Sequence, residues 1–130
     1  MKITIISPYY PYPKRGRYYG TERYTENLAL SLKELGNDVM VVTTYWNGGT
    51  RFEFHNDVKI LRVFDTGMIY RGHGTLDIIH YITFGLSVLR RKNFKYYCDS
   101  DVLLLNIPVI FSRIFKIKKI PTISIFHHYL

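Results

Sequence analysis

Two kinds of hydrophobic pattern alternate along this chain. Continuous apolar runs predict strands that are buried on both faces, which is typical of a parallel sheet. These runs are 2–7, 38–44, 58–64, 101–106 and 122–128. Between several of them, apolar residues recur every three or four positions, which is the spacing of an amphipathic helix. The pattern therefore predicts an alternation of strands and helices.

Three segments have helical spacing. The first helix is predicted to begin with Thr21 as its N-cap and to stop at Gly36, because glycine commonly follows a helix. A long helix is predicted at about 76–94, and a short one at 109–115. The expected apolar faces are Tyr24, Leu28, Leu32 and Leu35 in the first helix, and Ile79, Ile82, Leu86 and Leu89 in the second.

This alternation predicts an α/β fold, with a Rossmann-like open, mostly parallel sheet and flanking helices. Segment 46–54 indicates a turn or a β-ribbon within it. The 130 residues are expected to form one domain. Ligands of such a sheet bind at the carboxyl ends of its strands, and the loop 7–20 after the first strand is long enough to serve one.

The composition of the chain is strongly basic. The formal net charge is +8 and the sequence pI is about 9.6, which favours anionic partners. The single cysteine, Cys98, excludes an intrachain disulfide and fits a cytoplasmic protein. The apolar start, 1–13, is too short for a signal peptide, and no run approaches the roughly 20 apolar residues of a spanning helix. Any membrane contact is therefore expected to be peripheral, at the inner face.

The loop segment RGRYYGTERY, 15–24, has the residue types of a phosphate cradle. A Walker A loop needs four residues between its glycines, followed by Lys, but three residues separate Gly16 from Gly20 and no Lys follows. A dinucleotide fingerprint needs G-x-G-x-x-G and an acid after the second strand, where this chain has Thr44 and Tyr45. These departures argue against a P-loop and against a nicotinamide cofactor.

A more general anion site is still consistent with this loop. Gly20 removes side-chain bulk just before a helix N-terminus, whose N–H groups and dipole favour an anion. Gly20 could equally be a turn glycine, and Glu22 an acid that stabilises the helix dipole. Arg17 is either a ligand or a solvated loop charge.

Metal and nucleic-acid sites have little support. His127 and His128 are neighbours in a predicted strand, so their side chains point to opposite faces and do not easily share a metal. Asp77 and His80 have metal-compatible helical spacing but no third ligand nearby in sequence. No RNA-binding aromatic motif or helix-turn-helix pattern is present.

A basic cluster occupies the end of the predicted long helix. Its cations are Arg90, Arg91, Lys92 and Lys95, with aromatic residues between and beside them. The cluster is either a solvated face or a surface that docks on anionic lipid or on an acceptor.

Three stretches together resemble the N-terminal domain of family-four retaining glycosyltransferases of the GT-B fold. They are MKITIISPYYPYP, GTERYTENLALSLKELGNDVMVVTT and IPTISIFHHY. The resemblance spans the chain but is specific mainly in 2–44 and 120–128. It implies a hexosyltransferase that uses a nucleotide-sugar donor as substrate, with no metal or other cofactor.

The resemblance also assigns residues. Gly20, Thr21 and Glu22, with Arg17 in the preceding loop, would lie against the donor phosphates. His127 would contact the donor sugar at the reacting centre, and the strand register favours it over His128. The acceptor, a glycan or a lipid-linked molecule, would bind mainly to this domain.

In this family the donor is held by a C-terminal domain, which the 130 residues do not include. The chain alone is therefore expected to be inactive, with its missing half in the same or another polypeptide. A sheet that ends without a covering helix exposes apolar surface, so a homodimer is also expected. The alternative is a stand-alone Rossmann-like module that binds a protein partner or an anionic membrane surface.

Overall fold

A computed structural model of the chain describes residues 1–8, 10, 20–45, 50–63, 75–106, 113 and 120–125. For 20–22 and 75–81 it describes the backbone alone. The strands are β1 (Lys2–Ile6), β2 (Asp38–Thr44), β3 (Phe52–His55), β4 (Val58–Val63), β5 (Val102–Leu105) and β6 (Thr122–Ser124). The helices are α1 (Gly20–Glu34), α2 (Thr75–Leu89) and α3 (Arg91–Phe94).

The strands form one six-stranded sheet in the order β3-β4-β2-β1-β5-β6. The pairings β1 with β2, β1 with β5, β2 with β4 and β5 with β6 are parallel, and β3 pairs antiparallel with β4. The predicted α/β fold with a mostly parallel sheet and flanking helices is therefore confirmed.

The core lies on both faces of this sheet, as the continuous apolar runs predict. One cluster includes Ile6 and Val42 with Phe84 and Val88 of α2. The other includes Ile5 and Val41 with Ala29 of α1, and no residue is shared between the two. Because neighbouring residues of a strand point to opposite faces, one apolar run supplies both clusters.

The start of α1 differs from the sequence prediction. Gly20 is already helical, so Thr21 lies inside the first turn and is not the N-cap. Of the predicted apolar face, Leu28 and Leu32 are partly buried and pack against the core. Thr25 and Ala29 are the buried positions, whereas Leu35 is 78% exposed and Tyr24 is exposed as well. The most deeply buried positions carry small side chains, and the two ends of the predicted face, Tyr24 and Leu35, are exposed.

The end of α1 is as predicted. Gly36 has φ +92°, its N–H donates to the Lys33 carbonyl, and the Asn37 N–H donates to the Leu32 carbonyl. This pair of bonds is a Schellman motif, in which glycine takes the left-handed position.

We expect Gly36→Ala to lower the free energy of unfolding by about 1 kcal/mol, because an L-residue is strained in the left-handed region. A Cβ at this position would meet no atom within 4 Å, so the loss would come from the backbone alone. Denaturant unfolding measures it, with the exposed Ser31→Ala in the same helix as control. A stability equal to that of the control would contradict this account.

The predicted long helix at 76–94 is two helices. Arg90 is extended, with φ −60° and ψ 141°, and it separates α2 from α3. The side-chain Nδ2 of Asn93 donates to the Ser87 carbonyl at 2.6 Å. In a continuous helix, this carbonyl would instead accept from the N–H of residue 91. This competition between a side chain and the backbone explains the break. The predicted apolar face of α2 is only partly right. Leu89 packs against the core, but Ile82 and Leu86 are exposed, because Phe84 and Val88 take the buried positions. The side chain of Ile79 lies outside the description.

Of segment 46–54, predicted as a turn or a β-ribbon, residues 52–54 belong to β3, which forms a hairpin with β4, and 46–49 lie outside the described residues. Asn56 and Asp57 connect the two strands with φ of 51° and 66°, the conformation of a two-residue type I′ turn. The last strand, β6, ends at Ser124 and so covers only the first part of the predicted 122–128, of which 126–128 lie outside the described residues. Most of the predicted helix 109–115 also lies outside them.

Candidate functional site

The sheet has a topological switch point between β1 and β5. The chain runs from β1 to β2 on one side of this pair of strands, and from β5 to β6 on the other side. In open α/β sheets, ligands bind in the crevice that such a reversal leaves beyond the carboxyl ends of the strands. The carboxyl ends of β1 and β5 therefore mark the first candidate site.

Buried polar residues follow directly after both of these strands. Ser7 is fully buried after β1, and Asn106 is 3% exposed after β5. The Asn106 side chain donates from Nδ2 to Ser7 Oγ at 3.2 Å, and the Asn106 N–H donates to the Ile6 carbonyl at 2.8 Å. Because these hydrogen bonds join the two residues across neighbouring strands, Ser7 and Asn106 form a fixed polar pair at the carboxyl ends of β1 and β5.

The neighbouring strand β2 is tied to the residue that follows Ser7. The Thr44 hydroxyl, at the end of β2, donates to the Pro8 carbonyl at 3.1 Å. Because α1 connects the parallel strands β1 and β2, its first turn lies at the carboxyl edge of the sheet. The backbone at Gly20 therefore presents a helix N-terminus at the edge where the crevice lies, the kind of position that favours a phosphate.

Tyr10 anchors the chain after β1. It is 3% exposed, and its hydroxyl lies 3.2 Å from His55 Nδ1 on β3. Burial, followed by the charge of Glu26 on α1, raises the pKa of Tyr10 above its ordinary range. The phenol therefore stays protonated and links this part of the chain to the hairpin.

A second candidate site is a cavity of about 170 Å³ where the ends of β2 and β4 meet the link between α2 and α3. We call it the cationic cavity. Its charged lining residues are Arg51, Arg62, Arg90 and Lys92. The uncharged ones are Tyr45, Val63, Ser87 and Asn93.

Arg51 is held in place at this cavity. Its Nη2 donates to Asn93 Oδ1 at 2.7 Å and to the Lys92 carbonyl at 3.2 Å. The guanidinium also lies 5.8 Å from the ring centroid of Phe52 and 5.9 Å from that of Tyr96. Asn93, 3% exposed, is itself fixed by its bond to the Ser87 carbonyl. A chain of hydrogen bonds thus orients an otherwise exposed arginine.

Arg62 has a different role. Its side chain is 1% exposed, and Nε and Nη2 both donate to Oε1 of Glu53, at 2.9 and 2.6 Å. Nη1 donates to the Thr44 carbonyl at 3.0 Å. The charge of this arginine is therefore met by a carboxylate, and its bonds join β4 to β3 and β2.

The structure divides the predicted basic surface. Arg90 and Lys92 line the cationic cavity, whereas Arg91 and Lys95 are exposed and do not line it. The Lys95 ammonium lies 5.1 Å from the ring centroid of Tyr96. Sequence reasoning missed Arg51 and Asn93 as members of this group.

The other predicted site residues are only partly described. Arg17 and His127 lie outside the described residues. Gly20, Thr21 and Glu22 form the first turn of α1, of which the backbone alone is described. Their predicted roles at a donor phosphate and a donor sugar stay predictions.

Two absences hold for the described residues only. No cluster of three or more His, Cys, Asp or Glu side chains among them could hold a metal ion. Within the same part of the chain, no helix has both the length and the apolar character needed to cross a bilayer.

Comparison with known proteins adds no relative. No protein-family model matches the chain, and no curated protein matches it.

Proposed function

We propose that the chain is the N-terminal, acceptor-side domain of a GT-B glycosyltransferase, which moves a sugar from a nucleotide-sugar donor to an acceptor. The observation that carries the proposal is the topological switch point between β1 and β5. The polar pair Ser7 and Asn106 lies there, at the same edge of the sheet as the N-terminus of α1. The sequence resemblance in 2–44 and 120–128 supplies the reaction, and the crevice is the place where that fold binds its ligands.

Three features support a phosphate-bearing donor at this crevice. The first turn of α1 begins with Gly20, which has no side chain that could hold a ligand away from the backbone. Helix N–H groups and the helix dipole stabilise a phosphate at such a position. The net charge of +8 attracts an anionic donor toward the protein. In the proposed enzyme, a facing C-terminal domain holds the nucleotide, and the protein works in the cytoplasm, at or near the inner face of the membrane.

The test is sugar transfer by the natural protein that contains this sequence, assayed with a panel of nucleotide sugars. We expect His127→Ala to reduce the rate at least about a hundredfold, the lower end for the loss of a group that acts at the reacting centre. His128→Ala is the matched control and should change the rate less than about twofold, because the sequence predicts a strand over 122–128, in which adjacent residues point to opposite faces. Gly20→Val should reduce transfer by placing a branched side chain at the helix N-terminus.

Unchanged transfer in both His127→Ala and Gly20→Val would refute the site assignment. Equal losses in His127→Ala and His128→Ala would show that the register argument is wrong. Micromolar binding of a nucleotide sugar to the 130-residue chain alone would overturn the proposal that another domain holds the donor.

A stand-alone binding module is the second candidate function. Ile82 and Leu86, 46% and 59% exposed, are four residues apart on α2 and so lie side by side on its surface. Exposed apolar neighbours of this kind suit a protein partner or a second copy of the chain. Absence of sugar transfer from every nucleotide sugar in the panel would favour this candidate.

A further inference from the structure

The cationic cavity has a surplus of positive charge. Among its described lining residues there is no Asp or Glu, and the carboxylate of Glu53 already compensates Arg62. Three cations therefore contribute charge that no carboxylate of the described lining offsets: Arg51, Arg90 and Lys92. Like charges repel when they converge on one cavity, and an anion placed between them would relieve that repulsion.

The cavity is also partly organised before any ligand arrives. The bonds from Arg51 to Asn93 Oδ1 and to the Lys92 carbonyl use one end of the guanidinium, Nη2, and set its plane. Asn93 cannot easily move, because it is buried and bonded to the Ser87 carbonyl. An arginine that is already oriented loses less side-chain entropy when it binds a planar or tetrahedral oxyanion.

The cavity is large enough for a phosphate group. Its volume of about 170 Å³ holds several water-sized groups. Guanidinium groups match phosphate oxygens with paired N–H bonds, and ammonium groups add a point charge. Two arginines and a lysine around such a volume suit a terminal phosphate better than a single carboxylate.

We propose that the cationic cavity is a binding site for a phosphomonoester group, held by Arg51, Arg90 and Lys92. The phosphate is carried either by a soluble molecule or by a lipid headgroup, and the chemistry of recognition is the same. This site is separate from the crevice at β1 and β5, and it does not depend on sugar transfer.

The test compares four charge-removing variants of exposed residues, with phenyl phosphate as the soluble probe in a calorimetric titration at low salt. Arg51→Gln and Arg90→Gln should each weaken binding at least about tenfold, because each removes charge-assisted hydrogen bonds. Arg91→Gln and Lys95→Gln are matched controls that remove the same charge beside the cavity, and each should change affinity less than about twofold. Circular dichroism checks that every variant is folded.

Vesicles identify the source of the phosphate. If it belongs to a lipid, phosphatidylcholine vesicles containing phosphatidic acid should bind better than those containing phosphatidylserine, and Arg51→Gln should abolish that preference. If it belongs to a soluble molecule, phenyl phosphate should bind without any such preference between vesicles. Failure of both phosphomonoester probes to bind would overturn the proposal. So would binding that does not depend on Arg51 and Arg90, since this would indicate a diffuse basic face.

Discussion

Glu53→Gln is expected to lower the free energy of unfolding by about 3 kcal/mol. Removing one partner of a buried ion pair typically costs about 3–5 kcal/mol, because the other charge stays in the interior without compensation. The Arg62 side chain is 1% exposed, and Glu53 supplies the acceptor for two of its donors. Because the Glu53 side chain is 26% exposed, water reaches it, and the expected loss of stability lies at the lower end of that range. Urea unfolding followed by circular dichroism measures it.

Two comparisons separate this buried pair from ordinary surface charge. Glu34→Gln removes an exposed carboxylate at the end of α1 and should change stability by less than about 0.5 kcal/mol. Replacing Arg62 and Glu53 together by Met and Leu should restore much of the loss, because well-packed apolar residues often substitute for a buried pair. A Glu53→Gln variant as stable as Glu34→Gln would show that the pair contributes little.

The strands could be predicted because both faces of the sheet are buried. A strand such as 38–44 has no solvent face, so its apolar run is continuous and differs clearly from a helix of the same length. The buried faces of the helices were harder to predict, because α2 is apolar on more than one side. Periodicity alone could not choose between Ile82 with Leu86 and Phe84 with Val88, and contact with the sheet decided it.

The candidate sites combine residues that are far apart in the sequence. Arg51 and Asn93 are 42 positions apart, and only the pairing of β3 with β4 and the break after α2 bring them together. One local signal was overlooked. Asn56 and Asp57 tolerate positive φ and lie between two β-rich runs, which predicts a two-residue hairpin turn. That turn would have placed Arg51 beside the end of β4.

Tyr97→Ala is expected to cost about 4 kcal/mol, the usual range for removing a large buried aromatic side chain. Tyr97 is fully buried, its ring packs edge-on against Phe94 at 5.2 Å between centroids, and its hydroxyl donates to the Val88 carbonyl at 2.6 Å. Burial raises the pKa of this phenol above its ordinary range, so it keeps the proton that it donates. Thermal or urea unfolding measures the loss.

Tyr97→Phe separates the two parts of that contribution. It keeps the ring and removes the hydroxyl, which leaves the Val88 carbonyl without this donor and should cost about 1–2 kcal/mol. The matched control is Tyr96→Ala, which truncates the same residue type at a partly buried position and should cost less than half as much as Tyr97→Ala. Since Tyr97 joins the segment after α3 to α2, the alanine variant should also weaken phenyl phosphate binding at the cationic cavity. Equal losses of stability at positions 96 and 97 would contradict the assignment of Tyr97 as the anchor of this segment.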